Sequence, residues 1–75
     1  MNLMNKVKWY GDNGELVSCH EKIKVMEQNI QEITELMQYL LEDGVLMGIS
    51  ETQIKLVLQK IVSQLKNPYT KNNKE

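Results

Sequence analysis

A mainly α fold, a helical hairpin preceded by a short β-hairpin, is what this 75-residue sequence predicts. Three observations carry it. Apolar residues recur in alternating steps of three and four from Ile23 to Met47, the seam of an amphipathic helix. A glycine and a serine, Gly48 and Ser50, then break and restart the pattern. A second apolar run with helical spacing follows, through Ile54, Val57, Leu58, Ile61, Val62 and Leu65.

The first element is an arm over residues 1–17. Val7 and Trp9 alternate, as apolar residues do on one face of a strand. The following "GDNG" supplies residues that tolerate positive φ in a tight turn, and Leu16 with Val17 can form a short return strand. So small a β-hairpin is not stable alone and must lie on an apolar surface. Trp9, in this reading, anchors it at the start of the first helix.

The helical hairpin spans residues 18–67. "SCHE" at 18–21 matches a capping box, with Ser18 as cap and Glu21 reaching back. A long helix over about 19–47 follows, uninterrupted by Gly or Pro as far as Asp43. Its seam holds Ile23, Met26, Ile30, Ile33, Met37, Leu40 and Met47, with Gly44 in the one empty slot and Leu36 and Leu41 as flanks. Gly48 ends this helix, and Ser50 with Gln53 caps a shorter one over about 51–66. Glu51 and Lys55 are ordered for a supporting i,i+4 pair. Asn67-Pro68 stops the second helix, and a polar tail, 68–75, ends the chain.

Length then sets a constraint. At 1.5 Å per residue the first helix measures about 43 Å and the second about 24 Å. An antiparallel return covers little beyond the C-terminal half of the first helix, leaving Ile23, Met26 and Ile30 to the arm or to another chain. A core of this size supplies only about 3–5 kcal/mol without staples. One cysteine, Cys19, rules out an intramolecular disulfide, and one histidine, His20, rules out a single-chain zinc cage. A homodimer closing as a four-helix bundle is therefore expected. Self-association falls to Ile23, Met26, Ile30, Ile33, Met37, Leu40, Ile54, Leu58, Ile61 and Leu65.

Function is bounded rather than identified. Nine lysines against ten acids give a net charge of −1, which argues against nucleic acid as a partner. There is no run of about 20 apolar residues and no secretory signal pattern, so no membrane partner is expected and the cytoplasm is the expected location. Lysine, asparagine and isoleucine in place of arginine and alanine suggest a bacterial, AT-rich coding sequence. The expectation is a non-catalytic protein-interaction or adaptor module with an unidentified protein partner, no cofactor and no small-molecule substrate.

The alternative is a small DNA-binding regulator. Leu40 to Gln59 resembles the helix-turn-helix of bacterial repressors, with Gly44 as the small residue, Gly48 as the turn glycine, and Met47, Ile49, Ile54 and Val57 in the packing slots. That resemblance implies base and phosphate contacts from Ser50, Thr52, Gln53 and Lys55. Asp43 stands where the pattern places an apolar residue, and Glu42 and Asp43 would face phosphate with like charge, so a plain helix corner is preferred. The helix-glycine-helix outline is also similar to small regulatory hairpins of sporulating bacteria, whose acidic signature in the second helix is missing here.

Three other features admit chemistry and have simpler readings. Cys19 and His20 begin the first helix, where free amides lower a thiol pKa, yet both are ordinary occupants of a helix start. Glu27, Glu32, Glu35, Glu42 and Asp43 lie off the seam, as a solvated face does, and no Glu-x-x-His pair accompanies them. Met26, Met37 and Met47 suit an adaptable binding surface, but seam positions make them core candidates first.

Overall fold

The computed structural model describes residues 7–69 and contains two helices, α1 (His20–Leu46) and α2 (Glu51–Ser63). Two helices joined by a tight turn fit a helical hairpin. The chain divides into two compact units, Met1–Leu40 and Leu41–Glu75, with the boundary inside α1.

In the first unit, the arm turns back on itself at Gly11–Gly14. The amide of Gly14 donates to the Gly11 carbonyl at 2.9 Å, and Gly14 takes φ +83°, a conformation that costs a residue with a Cβ roughly 1–2 kcal/mol. The amides of Gly11 and Val17 then donate to the carbonyls of Glu15 and Trp9, at 2.9 and 2.8 Å. These two bonds flank Tyr10 and Leu16, which form an antiparallel bridge. Pairing stops there, and no strand is formed among the described residues. Only two residues, Val17 and Ser18, separate Leu16 from the first cap of α1, which leaves no length for a second rung. Alternation across the bridge puts Trp9 and Val17 on the opposite face from Tyr10 and Leu16, and Trp9 and Val17 are the half-buried pair.

The start of α1 differs from the expected capping box by one residue. Ile23 donates to the Cys19 carbonyl at 3.1 Å, so Cys19 and not Ser18 is the cap. The physical reason is local. The amide of Val17 is held by Trp9, which keeps Ser18 in the incoming chain and delays the helix by one position. From there the helix runs unbroken for 27 residues.

The second unit contains the end of α1, the corner and α2. The amide of Ile49 donates to the Gly44 carbonyl and that of Gly48 to the Val45 carbonyl, at 2.9 and 3.0 Å, with Gly48 at φ +90°. These are the two bonds of a Schellman stop with glycine at its left-handed position. Ser50 then accepts from the Gln53 amide at 3.2 Å and starts α2, as its position predicts. Gly44 is buried because Ile54 lies over it: a Cβ on Gly44 would come 2.5 Å from Ile54 Cδ1. Ile49, the residue after the stop, also reaches this point, at 4.0 Å.

Two expectations for α2 need correction. The helix ends at Ser63, short of 66. The Ser63 hydroxyl donates back to the Lys60 carbonyl at 2.8 Å, competing with the last helical bonds. The Gln64 amide still donates to the Lys60 carbonyl at 3.2 Å and also to that of Ile61 at 3.1 Å, and Leu65 donates to Val62, so the last turn tightens. Leu65 thus lies beyond the helix, exposed. In the expected tail, Tyr69 donates its amide to Asn67 Oδ1 at 2.7 Å, an Asx turn around Pro68; the remainder, 70–75, and the first six residues of the arm lie outside the described residues.

The Gly44–Ile54 contact makes a prediction. Gly44→Ala gains about 1 kcal/mol of helix propensity but must displace Ile54 Cδ1, so its net effect on wild-type stability should be small. Ile54→Val removes that atom at a cost of about 0.5–1.5 kcal/mol. In the Ile54→Val background, Gly44→Ala should be clearly stabilising, and a double-mutant cycle by urea denaturation measures the coupling. Zero coupling would mean that the two residues do not meet.

Candidate self-association surface

The seam of α1 does not have one environment but two. Ile23, Ile30 and Met37, spaced by seven, are half-buried, and Gly44 continues the series as a buried position. Met26, Ile33 and Leu40, each three residues further on, are exposed at 38%, 50% and 48%. One flank of the helix is therefore partly covered and the other lies open. Val25, Leu36 and Tyr39 are exposed as well and widen the open flank. Leu36 was legible as a flank of the seam; Val25 and Tyr39 were not, because they fall outside the three–four pattern.

In the first unit the structure gathers Ile23 with the arm. Val7, Trp9, Leu16, Val17 and Ile23 line an apolar groove of about 270 Å³. Trp9 Nε1 is buried in this region without a hydrogen-bond partner, at a cost of roughly 1–3 kcal/mol. The indole ring thus supplies apolar contact rather than a polar anchor.

In the second unit Ile54 is buried, Leu58 half-buried and Ile61 exposed. Of the ten residues expected to carry self-association, Ile54 has the fullest contact within the chain, and Leu65 has left the helix. Leu41, a flank residue in sequence, is half-buried here.

The residues named for DNA contact are partly engaged. Lys55 Nζ pairs with Glu51 at 2.9 Å, and the Ser50 hydroxyl caps α2. The pair is well exposed on both sides and contributes little to stability. The supporting helix of a repressor corner is short and separate, whereas α1 is continuous through this region. Gln31 and Glu35 make an i,i+4 contact on the outer face at 3.4 Å, in keeping with a solvated surface. Among the described residues no cluster of three His, Cys, Asp or Glu could hold a metal, and no helix is long and apolar enough to cross a membrane.

Cys19 is held by the backbone at the start of α1. Its sulfur accepts from the amides of Lys22 and Glu21, which hold the thiol below its usual pKa; partial desolvation opposes them and the Lys22 ammonium adds to them. The thiolate is thus the better cap. Because the folded-state value is depressed, the stability it adds is present above the unfolded pKa and is lost as pH falls through the folded one. Two results should follow. Alkylation by iodoacetamide should titrate at a lower pH in the folded chain than in urea; coincident midpoints would mean that the amides do not hold the sulfur. Cys19→Ser should keep the helix start and the thermal midpoint, while Cys19→Ala, which removes the acceptor, should lower that midpoint in a thermal unfolding scan. Compared with known proteins, the chain matches no family model, no curated protein and no solved structure.

Proposed function

We propose that this chain is a non-catalytic protein-interaction module of the bacterial cytoplasm that works by self-association, its helices closing as a homodimeric four-helix bundle. The observation that carries this reading is the scarcity of core. Ile54 is the one apolar side chain that is buried among the described residues. Val25, Met26, Ile33, Leu36 and Leu40 of α1 and Leu56, Val57, Ile61 and Val62 of α2 are left exposed, apolar surface of the kind a protein interface buries.

The composition of the open flank supports the same reading. It is aliphatic along Met26, Ile33, Leu36 and Leu40 rather than basic, which suits another helix and not a phosphate backbone. The arm completes the picture as a β-hairpin that covers the Ile23 end of α1. Trp9 and Val17, on its covered face, share the groove with Ile23.

Sedimentation equilibrium over a hundredfold concentration range should show a dimer. Ile30→Glu, which sets a charge in the seam, should give a monomer over the same range and lose much of the helical circular dichroism. A wild-type chain that stays a folded monomer throughout overturns the reading. Binding to duplex DNA that falls steeply with added salt would favour the helix-turn-helix alternative instead.

A further inference from the structure

We propose that the second copy docks antiparallel along the open flank of α1, in the register that sets Lys22 against the partner's Asp43. The inference rests on the self-association reading above and adds to it an orientation and a register. It starts from the residues beside the exposed seam. Lys22, Asn29, Leu36 and Asp43 recur every seven residues on α1, next to Met26, Ile33 and Leu40. All four are exposed. The row is cationic at its start, apolar at Leu36 and anionic at its end.

Lys22 and Asp43 are 43 − 22 = 21 residues apart, three heptads, or about 31 Å along a helix. They are too far apart to meet within one helix. Two copies running in opposite directions bring each lysine to the other's aspartate, twice by symmetry. In antiparallel pairs, positions of this type face each other across the seam. Parallel copies would bring Lys22 near the partner's Glu27 but leave Asp43 opposite the partner's Gly48, so only the antiparallel arrangement pairs both charges of the row.

The apolar rungs agree with the charges. With Lys22 facing the partner's Asp43, Ile23 meets the partner's Leu40, Met26 meets the partner's Met37, and Ile30 meets the partner's Ile33. Symmetry repeats each rung, and none contains a polar residue or a glycine. Sliding one copy by a heptad spoils this in either direction. One shift puts Gly44 opposite Met26 and leaves a gap. The other puts Lys22 against Leu36, shortens the seam and unpairs both charges. A single register therefore satisfies the seam and the flanking charges together.

The flank assignment also follows from burial. In an antiparallel four-helix bundle each helix meets one neighbour on each side of its seam. The series Ile23, Ile30 and Met37 is the half-buried side of the seam. The exposed series Met26, Ile33 and Leu40 marks the side left for a second copy.

Orientation is tested by cross-linking in a Cys19→Ser background, which removes the natural thiol and keeps a good cap. Lys22→Cys and Asp43→Cys are made separately; both positions are exposed, and circular dichroism verifies the fold of each. The chains are treated with a short bismaleimide, singly and as an equimolar mixture, with sedimentation equilibrium run on each. The expected result is a dimer in every sample, with a covalent dimer in the mixture and essentially none in either single variant. A dimer in which Lys22→Cys or Asp43→Cys links to itself is parallel and overturns this proposal alone. A dimer that gives no link in the mixture uses another surface and likewise overturns this proposal alone. Absence of any dimer overturns the self-association reading, and this proposal with it.

Discussion

Much of this structure depends on one close approach, that of Ile54 to the backbone of α1 at Gly44. A side chain at residue 44 would occupy the space of Ile54 Cδ1, so the absence of a Cβ is what admits the isoleucine. The approach is prepared four residues later. Gly48, at positive φ, lets the amides of Gly48 and Ile49 satisfy the Val45 and Gly44 carbonyls. Ser50 then satisfies an amide at the start of α2. The corner therefore meets its hydrogen-bonding needs locally, and Ile54, one turn into α2, arrives over the glycine.

That contact cannot hold the chain together by itself. Burying one isoleucine contributes about 1.5–3 kcal/mol, while ordering a single residue's backbone costs about 1–2 kcal/mol. Isolated helices as short as α2 are marginal in water. The half-buried residues add to Ile54 in each unit, but each leaves part of its surface in water. The apolar side chains that α1 leaves exposed, Met26, Ile33, Leu36 and Leu40, are surface whose burial would add to this balance, and the self-association proposal is built on them.

The extent of α1 was legible in the sequence to within a residue at each end, because the apolar period persists and a glycine follows it. The corner was legible for a similar reason: Gly48 and Ser50 each have a backbone role that few residues fill. What escaped depends on contacts from outside the local window. Cys19 rather than Ser18 caps α1 because Trp9, ten residues earlier, holds the amide of Val17. The second helix tightens and ends past Ser63, where Leu65 is exposed. Periodicity marks Gly44 as a gap in the seam, while packing makes it the point where α2 docks. Periodicity places the expected self-association residues of α1 on one seam, but it does not show their division into a half-buried and an open series. That division is set by which neighbours the chain itself provides.

The corner that resembles a repressor motif shows how little a corner alone says about function. The residues that make it, Gly44, Gly48, Ile49 and Ile54, serve packing and chain reversal, and any tight turn between helices needs them. Reading DNA requires in addition a short supporting helix and cationic side chains free to leave the surface. Here α1 is continuous, and Lys55 lies in an ion pair with Glu51. The same continuity that detracts from the DNA reading gives the chain its other property. An uninterrupted helix carries an open apolar row, with a lysine near its start and an aspartate near its end. If that row is covered by a second copy, folding and association draw on the same buried surface. Stability then depends on protomer concentration through mass action.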